Sequence, residues 1–452
     1  MKFSLHGALP ALLGLLASLG LTGVSRSQTV QLREKFPAGY QYHVSTRVEL
    51  SGTLTLPPVK GKPAPKPLSV KGDSVLDYDE RVLAAATDGQ VERTVRVYRR
   101  VDFQRNVGDR PQQSTLRPEV RRLVLLRHKQ LKVPFSPDGP LTWGEIDLVR
   151  TDVFTPALAG LLPEQAVGRG DRWNATASAV QELTDLERVE AGGVECRLEE
   201  ITTLDRRRYA RVALKGSVRG VNQDGPNRQQ LDGYFFFDLE SQHLSYLSLK
   251  GVHVLLDKDG KEVGRVEGRF VLTRRTGRPS TDLGDEALRG VTLEPNADNT
   301  MMLYDNPAVG IRFLYPRRWR VAGVRGRQVA LDEARGSGLL FTLEPAARVP
   351  TGAQFLGESR AYFKQQTKVK VLRVEEPRQL QRGPRELERF ALDLEVAGKP
   401  ERMDYFVLRQ ASGGATLAAR LLPADLANLR KDVERIARSA VISRPVAAEG
   451  KK

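Results

Sequence analysis

Apolar and polar residues alternate one by one through most of the first 275 residues. In the segment 40–50, YQYHVSTRVEL, Tyr42, Val44 and Val48 share one side of an extended chain, and mostly polar residues share the other. A period of two is that of a β-strand, in which successive side chains point to opposite faces of the sheet. The pattern therefore predicts strands with one buried face, and it argues against a helical bundle.

Four further segments repeat this alternation. Their inward residues are expected to be Val91, Val95, Val97, Val101 and Phe103; Ala210, Val212, Leu214 and Val218; Leu231, Phe235, Phe237 and Leu239; and Val266, Phe270 and Leu272. Asp-Gly pairs at Asp224 and Asp259 lie between alternating runs, where they favour hairpin turns. We expect an antiparallel meander of about eight to ten strands over residues 28–275.

A helical insert interrupts the meander. Thr142 and Glu145 have the spacing of a capping box at the start of a helix. A second short helix is expected at 156–162, with Pro156 in its first turn. Its leucines need an apolar surface to cover, so the insert is predicted to pack on the sheet.

A curved antiparallel sheet with helices over its apolar face resembles, in architecture only, the open β-barrel of exported lipoprotein and lipid carriers. The resemblance implies an apolar ligand, such as an acyl chain, held between sheet and helices. The residues expected to line that cavity are Val212, Leu214, Phe235, Phe237, Leu158 and Leu161.

The segment 276–300 shows neither period and is rich in Gly, Pro, Asp and Asn, which predicts a linker. A second domain is expected over 301–445, with a tail at 446–452. Its strands are predicted at 310–315, 328–332, 339–343, 369–375, 389–396, 403–409 and 416–421, with one helix within LGESRAYFKQQ. In the last helix, Leu426, Leu429, Val433 and Ile436 form one apolar stripe.

The segment 309–321, VGIRFLYPRRWRV, predicts a strand, a corner and a second strand. Ile311, Phe313 and Tyr315 share a face, Pro316 cannot donate to a ladder, and Trp319 is expected in the core. Arginines beside aromatics can bind single-stranded nucleic acid, but that mode needs exposed rings. Because the alternation turns these rings inward, we expect no nucleic-acid partner.

The Tyr315-Pro316-x-x-Trp319 corner, a following helix, paired strands and a final helix resemble the PsbP-like fold. The resemblance covers residues 301 to 443. It implies an α/β/α sandwich and a binding or assembly role, and it transfers no metal-site residues. The expected fold class of the whole chain is therefore α+β and β-rich, an open-barrel-like domain with a helical insert followed by a PsbP-like sandwich.

Residues 1–27 have the pattern of a secretory signal. Lys2 precedes the apolar run ALPALLGLLASLGL at 8–21, and Ser25 and Ser27 stand at −3 and −1 of a cleavage site. This predicts an exported, periplasmic or extracellular protein with no transmembrane segment after cleavage. The single cysteine, Cys196, excludes an intramolecular disulfide and is expected to be a buried apolar side chain.

The chain is basic, with 71 Lys and Arg against 55 Asp and Glu and a formal net charge of +16. Such a surface could hold an anionic envelope polymer. The basic residues alternate with apolar ones instead of clustering, so solvated strand faces explain most of them.

Motifs of common enzymes are mostly missing. The sequence has no His-Glu-x-x-His, Gly-x-Ser-x-Gly, Cys-x-x-Cys or phosphate-binding Gly-rich loop. The mature chain's histidines show no ligand spacing, and His43 is expected to be solvated. We therefore expect a non-enzymatic binding or assembly protein without cofactor or metal. An envelope scaffold and a hydrolase with a dispersed site stay open as alternatives.

Overall fold

The computed structural model describes residues 29–55, 65–86, 89–128 and 131–443. The predicted signal segment 1–27 and the tail 446–452 lie outside these residues. Within them, no helix is both long enough and apolar enough to cross a membrane. The fold class is α+β and β-rich, as the alternation predicts.

One large antiparallel sheet dominates the first block. Its order is β6-β5-β3-β2-β1-β13-β12-β11-β10-β9-β8, with β4 beside β3, so it has twelve strands and two separate edges. The strands up to residue 276 are β1 (Gln41–Leu54), β2 (Leu68–Ala85), β3 (Val91–Val107), β4 (Arg110–Ser114), β5 (Arg122–His128), β6 (Leu131–Phe135), β7 (Leu141–Thr142), β8 (Arg172–Asn174), β9 (Arg188–Leu204), β10 (Arg207–Asn222), β11 (Gly225–Asp238), β12 (His243–Leu256) and β13 (Glu262–Thr276).

The predicted helical insert covers one face of this sheet, which we call the inner face. It contains α1 (Trp143–Arg150), a 3-10 helix (Thr155–Leu161) and α2 (Ala177–Thr184). The capping box is confirmed, since Glu145 N donates to Thr142 Oγ1 at 3.2 Å and Thr142 N donates to Glu145 Oε2 at 2.8 Å. The helix α2 was not predicted from the sequence.

Strand β3 departs from the predicted alternation. Its ladder with β2 has register shifts next to Tyr78 and near Ala84. Because of these shifts, the side chains of β3 that were expected on one face lie on two. Arg96 pairs with Glu80 on the inner face, whereas Val95 and Val97 point to the outer face. The prediction that Val95 and Val97 share a face with Val101 and Phe103 is therefore wrong. A bulge adds one residue to one strand and reverses every later side chain.

The outward Val95 is nevertheless buried, because the segment between the blocks covers it. A 3-10 turn (Thr281–Leu283) leads into α3 (Asp285–Leu288), and Leu283 is fully buried against Val95 and Val124. Arg81 Nη1 donates to the carbonyl of Leu283 at 2.7 Å. The predicted linker is thus docked on the outer face of the sheet at this end.

The second block contains a seven-stranded antiparallel sheet of order β16-β17-β18-β22-β21-β20-β19 and a small sheet of order β23-β15-β14-β7. Strand β14 pairs in parallel with β7 of the first block, so the two blocks share a sheet. The elements are β14 (Met302–Asn306), β15 (Ile311–Tyr315), β16 (Trp319–Arg325), β17 (Gln328–Glu333), β18 (Gly338–Glu344), α4 (Gly352–Lys364), β19 (Val369–Gln381), β20 (Arg385–Val396), β21 (Lys399–Gln410), β22 (Gly413–Leu421), α5 (Leu426–Ser439) and β23 (Val441–Ile442).

The helices α4 and α5 lie on opposite faces of the seven-stranded sheet. Leu356 of α4 packs with Phe390 and Tyr405, whereas Val433 of α5 packs in the core that contains Phe406 on the other face. This gives the predicted three layers. Every strand and both helices predicted for this block are present, with bounds shifted by a few residues. The numerical boundaries of the domains stay a prediction.

The inner face of the large sheet carries several glycines at points where neighbouring strands approach closely. A Cβ added to Gly216 of β10 would lie 2.2 Å from the carbonyl oxygen of Gly193 on β9 and 2.8 Å from the Cα of Val194. Real Cβ atoms do not approach backbone this closely. The backbone of β9 must therefore move if residue 216 gains a side chain.

We expect Gly216→Ala to lower the free energy of unfolding by about 1–3 kcal/mol, the usual cost of overpacking. Gly193→Ala is the matched control, because a Cβ there meets nothing within 4 Å. Urea unfolding of the two variants measures the difference. Equal stability of the two would contradict the close approach of β9 and β10.

Candidate functional site

The six residues predicted to line an apolar cavity lie together at the centre of the first block. Val212 of β10 pairs directly with Phe235 of β11, and all six belong to one core. Each is at most 1% exposed, and the six are Val212, Leu214, Phe235, Phe237, Leu158 and Leu161. None of them lines any of the five main surface cavities. Here they form packed core, and their contact with a ligand stays a prediction.

The inner face is divided into a packed half and an open half. Tyr42 and Val44 of β1 lie under the helical insert and are buried. Farther along the same strand, Val48, Leu50 and Leu54 point to the same face but are only partly buried. The apolar pattern of the strand continues while the burial of its side chains decreases. The helical insert therefore stops covering this face before the apolar residues end.

Strands β13 and β12 extend this open half. Val48 pairs with Phe270 and Gly52 pairs with Val266, while Leu255 of β12 pairs with Gly264. We call the partly buried side chains of this region the apolar strip: Val48, Leu50, Leu54, Leu255, Val266 and Phe270. Phe270 also packs against the buried core and joins the strip to it. The sequence signal for the strip was present in the alternation, but the alternation does not show where the helices stop.

A buried ion network occupies the packed half of the inner face. Arg96 is fully buried, and its Nε donates to Glu80 Oε1 at 2.9 Å while its Nη1 donates to Asp152 Oδ2 at 2.7 Å. Thr155 Oγ1 donates to Glu80 Oε2 at 3.0 Å, and the guanidinium lies 4.3 Å from the centre of the Tyr78 ring. Burial raises the pKa of Asp152, although the charge of Arg96 opposes this.

A dispersed hydrolase site would need an acid or base that substrate can reach. None of the residues of the Arg96 network lines any of the five cavities, and each of its carboxylates is bonded to the guanidinium. The network contains no histidine, and its Thr155 hydroxyl, which donates to Glu80, is fully buried. Its geometry is that of a structural tie between β2, β3 and the insert.

A second buried pair anchors the chain that precedes β1. Arg274 of β13 is 1% exposed and donates to Glu34 from this leading segment. The guanidinium lies 5.3 Å from the ring centres of both Phe36 and Tyr42. Burial raises the pKa of Glu34, and the nearby Arg274 opposes this effect. The leading segment is thereby held on the inner face, at its packed end.

In the part of the chain that the structure describes, the histidine and cysteine side chains point to no metal centre. Among the described residues, no group of three or more His, Cys, Asp or Glu could hold a metal ion. Burial raises the pKa of the Cys196 thiol to about 12, so the side chain is a protonated, buried thiol as expected. His43 is not simply solvated, because its Nδ1 lies 2.9 Å from Asp79 Oδ1 and its Nε2 lies 3.4 Å from Asp77 Oδ2.

A cleft of about 760 Å³ lies where the two blocks meet. Trp143 at the start of α1 is 51% exposed and lines it, opposite Tyr304 and Tyr315 of the small sheet. Burial raises the pKa of Tyr315 to about 12, so its hydroxyl stays protonated at neutral pH. The lining residues contain no His, Cys or Ser, and the hydroxyl and charged side chains among them include Thr142, Arg150 and Asp305.

Comparisons with known proteins give distant structural likenesses alone. No protein-family model matches the chain, and no curated protein matches it in sequence. Cyanobacterial PsbP from Synechocystis is 12% identical over 32% of this chain and 92% of its own, with a TM-score of 0.26. The Ran-binding protein Mog1p of Saccharomyces cerevisiae is 10% identical over 32% and 96%, also with a TM-score of 0.26.

Lipovitellin, in a structure describing lipid–protein interactions, is 10% identical over 55% of this chain with a TM-score of 0.32. This chain spans only 26% of that lipovitellin chain. These TM-scores are too low to support an argument about fold or activity.

Proposed function

We propose that the chain is an exported, non-enzymatic binding protein that holds an apolar chain, such as an acyl group, on the apolar strip. The observation that carries this proposal is the open half of the inner face. There, six apolar side chains on three paired strands stay partly exposed beside a core that is otherwise closed.

Contiguous apolar surface of this kind favours the binding of an apolar ligand, because removing it from water is worth about 25 cal/mol per Å². The strip lies on the inner face of the sheet, where a bound chain would contact side chains from several strands at once. It is continuous with the buried core through Phe270. A ligand with a long methylene chain matches this shape better than a compact polar molecule.

The proposal also includes the absence of catalysis. Its support is that the buried acids of the Arg96 network are bonded to the guanidinium and line none of the five cavities. Export rests on the signal pattern in residues 1–27. The neighbouring structures of PsbP and lipovitellin are compatible with a binding role but add no weight.

Binding of a dansyl-labelled fatty acid tests the proposal. The wild-type chain should raise the dansyl fluorescence saturably, and Leu50→Glu should weaken binding by about tenfold or more because it places a charge on the strip. Leu340→Glu is the matched control, since Leu340 is 37% exposed on a strand of the second block. We expect it to bind like wild type.

Thermal unfolding of both variants establishes that they are folded. Native mass spectrometry of gently purified wild-type protein should in addition detect copurified lipid. If the wild type binds no fatty acid, or if both variants lose binding equally, the assignment of the strip is wrong.

A further inference from the structure

The outer face of the large sheet carries an aromatic cluster where the alternation would place polar residues. Tyr209 of β10, Tyr234 and Phe236 of β11, and Tyr246 of β12 all point away from the helical insert and are partly exposed. The ring centre of Phe236 lies 6.2 Å from that of Tyr209, 5.6 Å from that of Tyr234 and 6.1 Å from that of Tyr246. These four rings face solvent and are not part of the buried core. The stability of the fold therefore does not explain why they are aromatic.

These rings form one wall of a cavity of about 510 Å³. This volume falls within the range of about 300–1,000 Å³ that small-molecule sites occupy. Apart from Leu204, the other lining residues are polar and include Asp238, His243 and Arg275. The cavity thus combines a wall of aromatic rings with hydrogen-bonding groups.

His243 provides an independent sign that the cavity is built for a ligand. The residue is 3% exposed, and its buried Nδ1 has no hydrogen-bond partner. A buried ring nitrogen without a partner costs free energy, and a ligand that supplies the missing bond as the ring turns toward the cavity recovers that cost. Burial, followed by the charge of Arg274, lowers the pKa of His243 to about 4, so the ring is neutral at pH 7.

The charges around the cavity are balanced. Arg207 Nη2 lies 2.9 Å from Asp238 Oδ2, and Asp238 also accepts from the backbone N–H of Ser241 at 3.0 Å. These bonds hold the pKa of Asp238 low, although burial alone would raise it.

Beside the aromatic cluster, Arg211 pairs with Glu199, and its guanidinium lies 4.8 Å from the centre of the Tyr234 ring. Of the remaining lining charges, Asp205 and Arg275 have opposite signs, and Arg274 is paired with Glu34. The lining charges, with Glu34 counted beside Arg274, therefore sum to zero.

We propose that this cavity binds a pyranose ring of a neutral saccharide. A pyranose presents one face of C–H groups that stacks on aromatic rings, and its hydroxyls donate and accept hydrogen bonds around the edge. The neutral His243 and the ion-paired Asp238 and Arg207 are suited to hydroxyl groups. A quaternary ammonium ligand, the other common guest of aromatic clusters, is disfavoured by the guanidinium already over Tyr234.

The site lies on the opposite face of the sheet from the apolar strip, so it goes beyond the proposed function and can fail independently of it. It also differs from a general attraction of the basic chain for anionic polymers. Binding through stacking and neutral hydrogen bonds is insensitive to salt, whereas attraction between exposed charges weakens as salt rises.

Saturation-transfer NMR tests the proposal with neutral oligosaccharides of glucose, galactose, mannose or N-acetylglucosamine as probes. At least one should bind the full-length mature protein, with an affinity that is unchanged between about 50 mM and 500 mM salt. Tyr246→Ser and Tyr234→Ser should each weaken that binding by about tenfold. His243→Leu should also weaken it, because it removes the unpartnered nitrogen.

Tyr362→Ser is the matched control, because Tyr362 is 59% exposed on α4, far from the cavity in the fold, and its loss should leave binding unchanged. Thermal unfolding shows which variants are folded, and the two tyrosine variants give independent readings if one is not. The proposal is overturned if no neutral oligosaccharide binds, if binding disappears at high salt, or if the Tyr362 variant loses as much affinity as the cavity variants.

Discussion

Replacing Arg96 by methionine should lower the free energy of unfolding by about 3–5 kcal/mol, one of the largest losses expected for a single change in this chain. The guanidinium is fully buried and bonds to both Glu80 and Asp152. Without it, two carboxylates stay in the interior and lose the cation that is bonded to both of them. They must then be protonated or draw in water, and both outcomes destabilise the packed half of the sheet. Urea unfolding at neutral pH measures the loss.

Two further variants sharpen this test. Arg100→Met removes an arginine of the same strand that is 60% exposed and paired with Asp102, and it should cost less than about 1 kcal/mol. A triple variant that replaces Arg96, Glu80 and Asp152 by apolar residues should recover much of the loss, because no buried charge is left unpaired. A loss below about 1 kcal/mol for Arg96→Met alone would contradict the network.

Replacing Trp319 by alanine should cost about 3–5 kcal/mol, as expected for a large aromatic side chain in a closed core. Trp319 is fully buried at the corner after Pro316, and its Nε1 donates to Asp432 Oδ2 at 3.0 Å. The indole therefore joins β16 to α5 by both packing and a hydrogen bond. Its removal leaves a cavity between the sheet and the last helix. Thermal and urea unfolding report the change.

The matched control is Trp143→Ala, which removes the same side chain from a position that is 51% exposed at the start of α1. Its loss should change the stability by less than about 1 kcal/mol, since half of the residue's surface is already in contact with water. Similar losses for the two variants would mean that Trp319 is not the anchor of the corner.

The second block shows how much of its structure the local spacing of apolar residues predicts. The alternation of Ile311, Phe313 and Tyr315 and the proline that follows predict the strand and corner, and all three side chains are buried as expected. The stripe of Leu429, Val433 and Ile436 likewise predicts the buried face of α5. These predictions succeed because a period of two or of 3.6 is a local property, and burial of one face follows from it directly.

The candidate sites were predicted less well. The six residues expected to line a cavity are indeed inward, but the pattern cannot distinguish a packed interior from a hollow one. The apolar strip has the same alternation as the packed half and differs from it only because the helical insert does not cover it. The aromatic cluster of Tyr209, Tyr234, Phe236 and Tyr246 occupies positions that the alternation assigns to solvent. Its rings come from three strands and meet only through the register between them.

The sequence by itself determined the β-rich class, the strands with a clear period of two, the helices α1, α4 and α5, and most of the side chains that are buried in the core. These properties depend on residues close in the chain. Only the tertiary structure decided that a bulge in β3 places Arg96 inside and Val95 outside, that the segment after β13 covers Val95, and that the helical insert ends before the apolar strip. Each of these depends on contacts between residues far apart in the chain, whose register and extent no local period specifies.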